Sequence, residues 1–413
     1  MPESEPNEQQ ISAALKADKP IVIAPFPGET PSQIPPSPHD VWDLPGGTAW
    51  VYYGEGNHAL TRPVILADGF NTGPSDINLS WEYLDWRDYA FLSQLRARGR
   101  DVIILGFRER SASILENAEA AQAAIMRACA ERVGDHRLAV GGFSMGGLVT
   151  RYALARLETQ RMDHQTGLYF SYDSPHRGAW IPIALQAFAH YIRALDPRFS
   201  AQINSPASRQ LLCQHITEWG DQHEVSKERT EFLAELARVG DWPRIPRIIG
   251  VANGMGDGQS NGIDAGTVAV QGKGLSVTGT KLLAQPEGAG QQLAAQLRVI
   301  TLQKPEIHTT GLPAMDSAPG GTLEGFGILA DSLNKYLLLG LGTEAPVRRH
   351  CFVPTVSAVA IRDVDTHENL YADINSLSPE ESELDEFMVA TTGNEEHTKM
   401  TEELCTWIMD RLP

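Results

Sequence analysis

The sequence predicts an α/β protein: a mostly parallel central sheet flanked by helices, interrupted by a helical insertion and a small antiparallel β insertion. Three observations predict it. Short apolar runs alternate with amphipathic stretches from Ala49 to Tyr172. That rhythm breaks after Asp173 into helix-like segments, and a glycine-rich stretch after Gly254 carries short strand-like runs. Strands separated by helices of this length need crossover connections, which pair them in parallel. In such sheets chemistry gathers at the carboxyl ends of the strands.

Residues 20–47 hold Pro25, Pro27, Pro31, Pro35, Pro36 and Pro38, a composition of extended chain rather than helix. Ala49–Tyr53 and Pro63–Ala67 read as strands, Arg87–Arg98 as a helix and Asp101–Phe107 as a strand. Ser113–Val133 reads as a long helix. Ser111 or Ser113 can cap its start, Ile114, Ala118, Ile125, Cys129 and Val133 return to one face, and Gly134 stops it. Arg137–Phe143, a helix from Met145 to about Glu158, and the strand Leu168–Tyr172 follow. Trp180–Leu195, Pro206–Ile216 and Lys227–Val239 read as helices, and Ile245–Ala252 returns to the sheet. Thr267–Val270, Leu275–Val277 and Leu297–Leu302 read as small antiparallel strands. Phe387–Thr391 is the last sheet strand and Thr398–Leu412 the closing helix.

The chain therefore divides into an extended arm over 1–48, a first core part over 49–175 and a helical lid-like insertion over 176–240. A core strand over 241–253, an accessory β insertion over 254–348 and a C-terminal core part over 349–413 complete it.

A net charge of −18 argues against nucleic acid or an anionic membrane as a default partner, since both repel an acidic surface; a local basic patch would break that rule. Cys129, Cys213, Cys351 and Cys405 show no CxxC spacing, so they outline neither a disulfide framework nor a zinc site. The polar, acidic start lacks a signal-peptide pattern, and no apolar run approaches the ~20 residues that cross a bilayer. The expectation is a cytoplasmic chain without a transmembrane segment.

The segment Leu138-Ala139-Val140-Gly141-Gly142-Phe143-Ser144-Met145-Gly146-Gly147 reads Gly-x-Ser-x-Gly between a strand and a helix. A nucleophilic serine at such a turn needs small neighbours, because a side chain at Gly142 or Gly146 would strike nearby backbone. The turn aims the Met145 N–H and the positive helix end at a developing oxyanion. Asp68-Gly69-Phe70 ends an earlier strand, which makes the Phe70 N–H the second donor candidate.

A catalytic base must come from a late loop at the same sheet edge. His397 fits, placed after the strand Glu386–Thr391 and before a helix; His308, His350 and His367 lack that setting. The orienting acid stays open at this point. Asp173 closes the strand beside the nucleophile strand, Asp257 follows the next strand, and Asp316 lies in the insertion. Asn253, Asp257 and Asp264 are a weak calcium option without EF-hand spacing; no metal or cofactor is expected.

Asp173-Ser174-Pro175-His176-Arg177-Gly178 resembles the Ser/Thr-Pro-His-x-Gly segment of bacterial lipases. Asp316–Gly321, Phe352–Ala358 and Asn394-Glu395-Glu396-His397 resemble stretches of bacterial lipase-like α/β-hydrolases, over about residues 62–400. The resemblance implies an α/β-hydrolase fold and an ester or lipid hydrolase. Two departures stand out. The usual His-Gly oxyanion segment is Asp68-Gly69, and an echo of Asp-Gly-x-Val-Pro at 350–354 carries His350 at its acid position. The placement of Asp173 resembles that of the acid in pancreatic-type lipases.

The leading expectation is hydrolysis of small-molecule or lipid carboxylic esters through a Ser144 acyl-enzyme, as a lipase or carboxylesterase. A thioesterase, cyclase or acyltransferase would use the same residues with another acceptor, and a non-catalytic hydrolase-like binding protein is the third class. Trp180, Ile181, Ile183, Leu185, Phe188, Tyr191 and Leu195 form an apolar stripe that suits either a lid or a helix packed permanently on a core.

Overall fold

A computed structural model describes residues 6–24 and 30–413. Within the expected extended arm, Asn7 and Gln10 form a reciprocal capping box that starts a helix, Glu8–Ala17 (α1), which buries Ile11 and Leu15. The arm also supplies an edge strand, Asp40–Leu44 (β1). The extended reading is corrected at α1; Pro25 and Pro27 lie outside the described residues. Then follow Gly47–Tyr52 (β2), Pro63–Ala67 (β3), Ile77–Trp81 (α2) with a π-helical turn over Glu82–Trp86, and Phe91–Ala97 (α3). The helix expected from Arg87 thus starts only at Phe91. Asp101–Phe107 (β4), Ile114–Glu131 (α4), Leu138–Phe143 (β5), Met145–Thr159 (α5) and Thr166–Tyr172 (β6) complete the first half. The Ser113 hydroxyl caps α4 by accepting the Leu115 N–H, and Gly134 takes a φ of 91° just beyond it.

The helical insertion consists of Ile183–Tyr191 (α6), Arg198–Ile203 (α7), Pro206–Leu211 (α8) and Lys227–Arg238 (α9), the first and third shorter than expected. After Arg247–Met255 (β7) come Val268–Gly272 (β8), Lys281–Leu283 (β9), Gly288–Gln296 (β10), Glu306–Leu312 (β11) and Gly320–Leu323 (β12). Two of the strands expected here are corrected. Leu275–Val277 is a turn and 297–302 a loop, whereas the glutamine-rich β10 pairs along most of its length. Its partly exposed, polar residues hide it from a hydrophobic pattern. Gly325–Asn334 (α10), Thr343–Glu344 (β13), His350–Pro354 (β14), Thr355–Ala358 (α11) and His367–Leu370 (α12) follow. Glu386–Ala390 (β15) and Glu402–Met409 (α13) close the chain. α13 starts later than expected because Thr401 caps it at Leu404.

Eight strands form one sheet in the order β1-β2-β4-β3-β5-β6-β7-β15, antiparallel at β1-β2-β4 and parallel from β4 onward. β3, β4 and β5 are buried at every position, as a sheet covered on both faces requires. Helices α4 and α5 pack on one face, and α3 and α13 on the other. A third core joins α6 to the separate five-stranded sheet β11-β10-β9-β8-β13 and to the β12-β14 pair. Trp180, Ile183, Leu185 and Phe188 of the apolar stripe are fully buried inside that core. No helix among the described residues is long and apolar enough to cross a membrane.

The parallel register matters most for function. Ala67 stands beside Gly142, Phe143 beside Tyr172, and Tyr172 beside Val251. The residues that leave these strands therefore emerge side by side.

Candidate active site

Ser144 occupies the turn between β5 and α5 with φ 53° and ψ −123°, a conformation that L-residues rarely adopt. The neighbours explain why the chain tolerates it. A Cβ on Gly142 would lie 2.3 Å from the Gly146 carbonyl carbon, and one on Gly146 would lie 2.2 Å from the Ala67 oxygen. One on Gly147 would strike Ser174 Oγ at 2.0 Å. The three glycines let α5 start against β3 and β6 with no side chain between.

His397 reaches the same edge from the loop after β15. Its backbone N–H donates to the Thr322 oxygen at 2.8 Å, and the Thr322 N–H donates to Glu395 oxygen at 3.0 Å. Asn394 Oδ1 accepts the N–H groups of Met255 (2.8 Å) and Gly320 (3.0 Å), and the Glu395 N–H donates to the Asn253 oxygen at 2.9 Å. The loop is thereby pinned between β7 and β12, which accounts for Asn394 in its motif.

Ser144 Oγ lies 2.7 Å from His397 Nε2, and Asp173 Oδ2 lies 2.6 Å from His397 Nδ1. All three side chains are buried. A carboxylate can only accept here, so the proton sits on Nδ1 and leaves Nε2 as acceptor for the serine hydroxyl. Asp173 has φ 49°, and its other oxygen accepts the Asn253 N–H at 3.0 Å. A Cβ on Gly321 would meet Asp173 Oδ2 at 2.1 Å, so β12 closes over the carboxylate. Phe352 meets the His397 ring edge-on at 4.8 Å.

The other candidate acids lie elsewhere. Asp257 accepts the Gln259 N–H in its own turn. Asp316 is buried, accepting Trp180 Nε1–H at 2.6 Å and the Gln285 N–H at 2.5 Å. Burial pushes its carboxyl up to about 7, against the opposing pull of the Gln285 and Trp180 hydrogen bonds. His350 is buried against Phe326, bonded to the Cys351 oxygen, and lowered to about 4 by burial. His308 pairs with Glu306, and His367 with Glu287. Among the described residues no group of three or more His, Cys, Asp or Glu side chains is placed to hold a metal.

A cavity of about 80 Å³ opens at Ser144, lined among others by Phe70, Leu79, Tyr83, Leu84 and Arg110. Its walls come from residues 66–84, 104–110, 143–144 and 398, with none from 176–240. One wall of this cavity is thus the α2 segment, whose role nothing in the sequence signals. The loop after β3 runs tight against Ser144: a Cβ on Gly69 would sit 3.4 Å from Ser144 Cβ. Asp68, in the place of the usual histidine, accepts its own Gly69 N–H at 2.8 Å and the Ser75 hydroxyl at 2.6 Å. Ser75 Oγ in turn accepts the Phe107 N–H of β4 at 2.9 Å. That anchor is legible only once Ser75 is known to face Asp68.

The sheet order, the crossovers and the Ser144 turn decide the architecture. The chain has the α/β-hydrolase fold. No protein-family model matches the sequence, and no curated protein matches it. Solved structures with some likeness include a mature Bacillus licheniformis lipase, at 14% identity and TM-score 0.33, covering 49% of this chain and 71% of that one. The same lipase in its propeptide form is covered over 39% of its length. A Pyrobaculum calidifontis esterase shows 12% identity and TM-score 0.34 over 52% of this chain and 66% of its own. A Xanthomonas campestris α/β serine hydrolase described as lacking a lid shows 20% identity and TM-score 0.25, over 36% and 67%.

Proposed function

We propose that the chain is a serine hydrolase of carboxylic esters, with Ser144 as nucleophile, His397 as general base and acid, and Asp173 as the orienting acid. One observation carries the reading: the continuous hydrogen-bond chain from Ser144 Oγ through His397 to Asp173 at 2.7 and 2.6 Å.

His397 Nε2 takes the hydroxyl proton as Ser144 Oγ attacks the ester carbonyl. The N–H groups of Met145 and Phe70 hold the oxyanion. Collapse of the tetrahedral adduct breaks the bond to the alcohol, which leaves with the proton from His397. Water then repeats the sequence on the acyl-enzyme and releases the acid. Asp173 keeps the imidazole in the required tautomer and stabilises the imidazolium. No step calls for a metal or cofactor.

The cavity supports short acyl groups. Its volume is about 80 Å³, and its walls include Phe70, Leu79, Leu84 and Phe143. The test is hydrolysis of p-nitrophenyl esters from acetate to palmitate by wild type and Ser144→Ala. We expect turnover concentrated on the short esters and reduced about 10⁶-fold in the variant. Absence of both ester turnover and fluorophosphonate labelling in wild type would sink the reading. Labelling without turnover would point to a different acyl acceptor.

A further inference from the structure

The end of the five-stranded sheet carries a feature that ester hydrolysis does not explain. Leu275, Leu302, Leu337 and Leu338 are 71%, 91%, 65% and 98% exposed. Single exposed leucines are ordinary, but these four stand on three loops that interlock. Ser276 N–H donates to the Gly340 oxygen at 3.0 Å, and Ile300 N–H donates to the Ser276 oxygen. Arg298 clasps the carbonyls of Leu275, Thr278 and Thr301. Neighbouring residues of the same segments face inward: Val277, Leu297 and Leu341 are buried. The segments are therefore tied to one another while the four leucines on them stay exposed.

The charge around them is the reverse of the molecule's. The segments 273–279, 298–304 and 335–342 that bear the leucines carry Lys273, Arg298, Lys304 and Lys335 and no Asp or Glu, in a chain of net −18, although Lys335 shares Asp18 at 2.8 Å. Lys273 flanks Leu275, although it shares Glu344 at 3.1 Å, and Lys304 stands two residues from Leu302.

We propose that this end of the sheet docks the protein on an anionic phospholipid bilayer. The leucines enter the interfacial region and the surrounding cations meet the headgroups. Projecting apolar tips ringed by positive charge suit a bilayer surface, where burial of apolar area and attraction to anionic lipid add. The acidic remainder of the molecule is repelled, so the attachment is oriented. A second copy docked face to face would set the same cations against each other. The inference stands apart from the catalytic reading.

The test uses full-length Ser144→Ala protein, so that lipid turnover cannot alter the membrane, sedimented with vesicles of phosphatidylcholine alone or mixed with phosphatidylglycerol. We expect binding to the mixed vesicles, little to the neutral ones, and loss with added salt. Leu302→Ser with Leu338→Ser lowers binding about tenfold or more. Lys273→Gln and Lys304→Gln lower it roughly fivefold for each cation. Absence of binding by the parent protein overturns the proposal, as does equal binding to both vesicle types. Unchanged binding by the leucine variant, with circular dichroism confirming its fold, also overturns it. A dimer in sedimentation that the leucine variant dissolves would reassign the patch to contact between copies.

Discussion

Asp173 receives N–H groups from two sides, His397 Nδ1 on one oxygen and the Asn253 backbone on the other. This double demand makes the residue sensitive to an isosteric change. An asparagine at 173 has one acceptor oxygen; if Asn253 keeps it, the amide NH₂ faces Nδ1 and forces the opposite imidazole tautomer. Asp173→Asn is expected to lower kcat by about 10⁴ with KM little changed. Asp257→Asn is expected to leave kcat near wild type. Steady-state kinetics on a short p-nitrophenyl ester decide between the acids; full activity in Asp173→Asn would exclude it as the orienting residue.

At the scale of elements, Phe70 has two surroundings. It lines the cavity at Ser144 and also a second, apolar cavity beneath the helical insertion, formed with Ile181, Ile203, Leu211 and Phe352. Phe70 thus belongs to the lining of both. Truncation enlarges the cavity at Ser144 on that side while leaving the backbone N–H in place, so Phe70→Ala is expected to shift the preferred acyl chain to longer esters. The ester series read on wild type and variant checks this; an unchanged optimum would mean that the acyl group lies in another direction. The α6 helix, by contrast, is sealed on all sides: even its Gln186 and His190 are buried and hydrogen-bonded. A helix whose polar positions are also satisfied internally belongs to a core.

At the scale of the molecule, Asp316 sits where three parts meet. It takes hydrogen bonds from Trp180 at the start of the helical insertion and from Gln285 before β10, and its backbone oxygen accepts the Cys351 N–H of β14. A carboxyl raised to about 7 in the fold and near 4 when unfolded holds its proton more tightly in the native state. Its contribution to stability is therefore fully present below about pH 4 and is lost as pH rises toward 7, because the unfolded state sheds this proton over that range while the buried carboxyl keeps it. Denaturant unfolding at pH 5 and pH 8 is expected to show a wild-type loss of roughly 2–3 kcal/mol that Asp316→Asn lacks. Parallel pH dependence in both proteins would show that Asp316 titrates normally.

Local chemistry determined what the sequence by itself could settle. The Ser144 turn is readable because its requirements, a buried strand, three glycines and an immediate helix, all fall within ten contiguous residues. The position of His397 is readable because the last strand, its loop and the closing helix follow one another along the chain. The carboxylate that meets His397 is a different matter. Asp173, Asp257 and Asp316 all sit near strand ends or turns, and the parallel register of β5, β6 and β7, with β12 closing over the site, brings the first of them to the imidazole. The same limit explains the cavity wall from the α2 segment, the polar strand β10 and the leucine cluster. Each depends on which distant loops touch, a property of packing that hydrophobic periodicity along the chain does not encode.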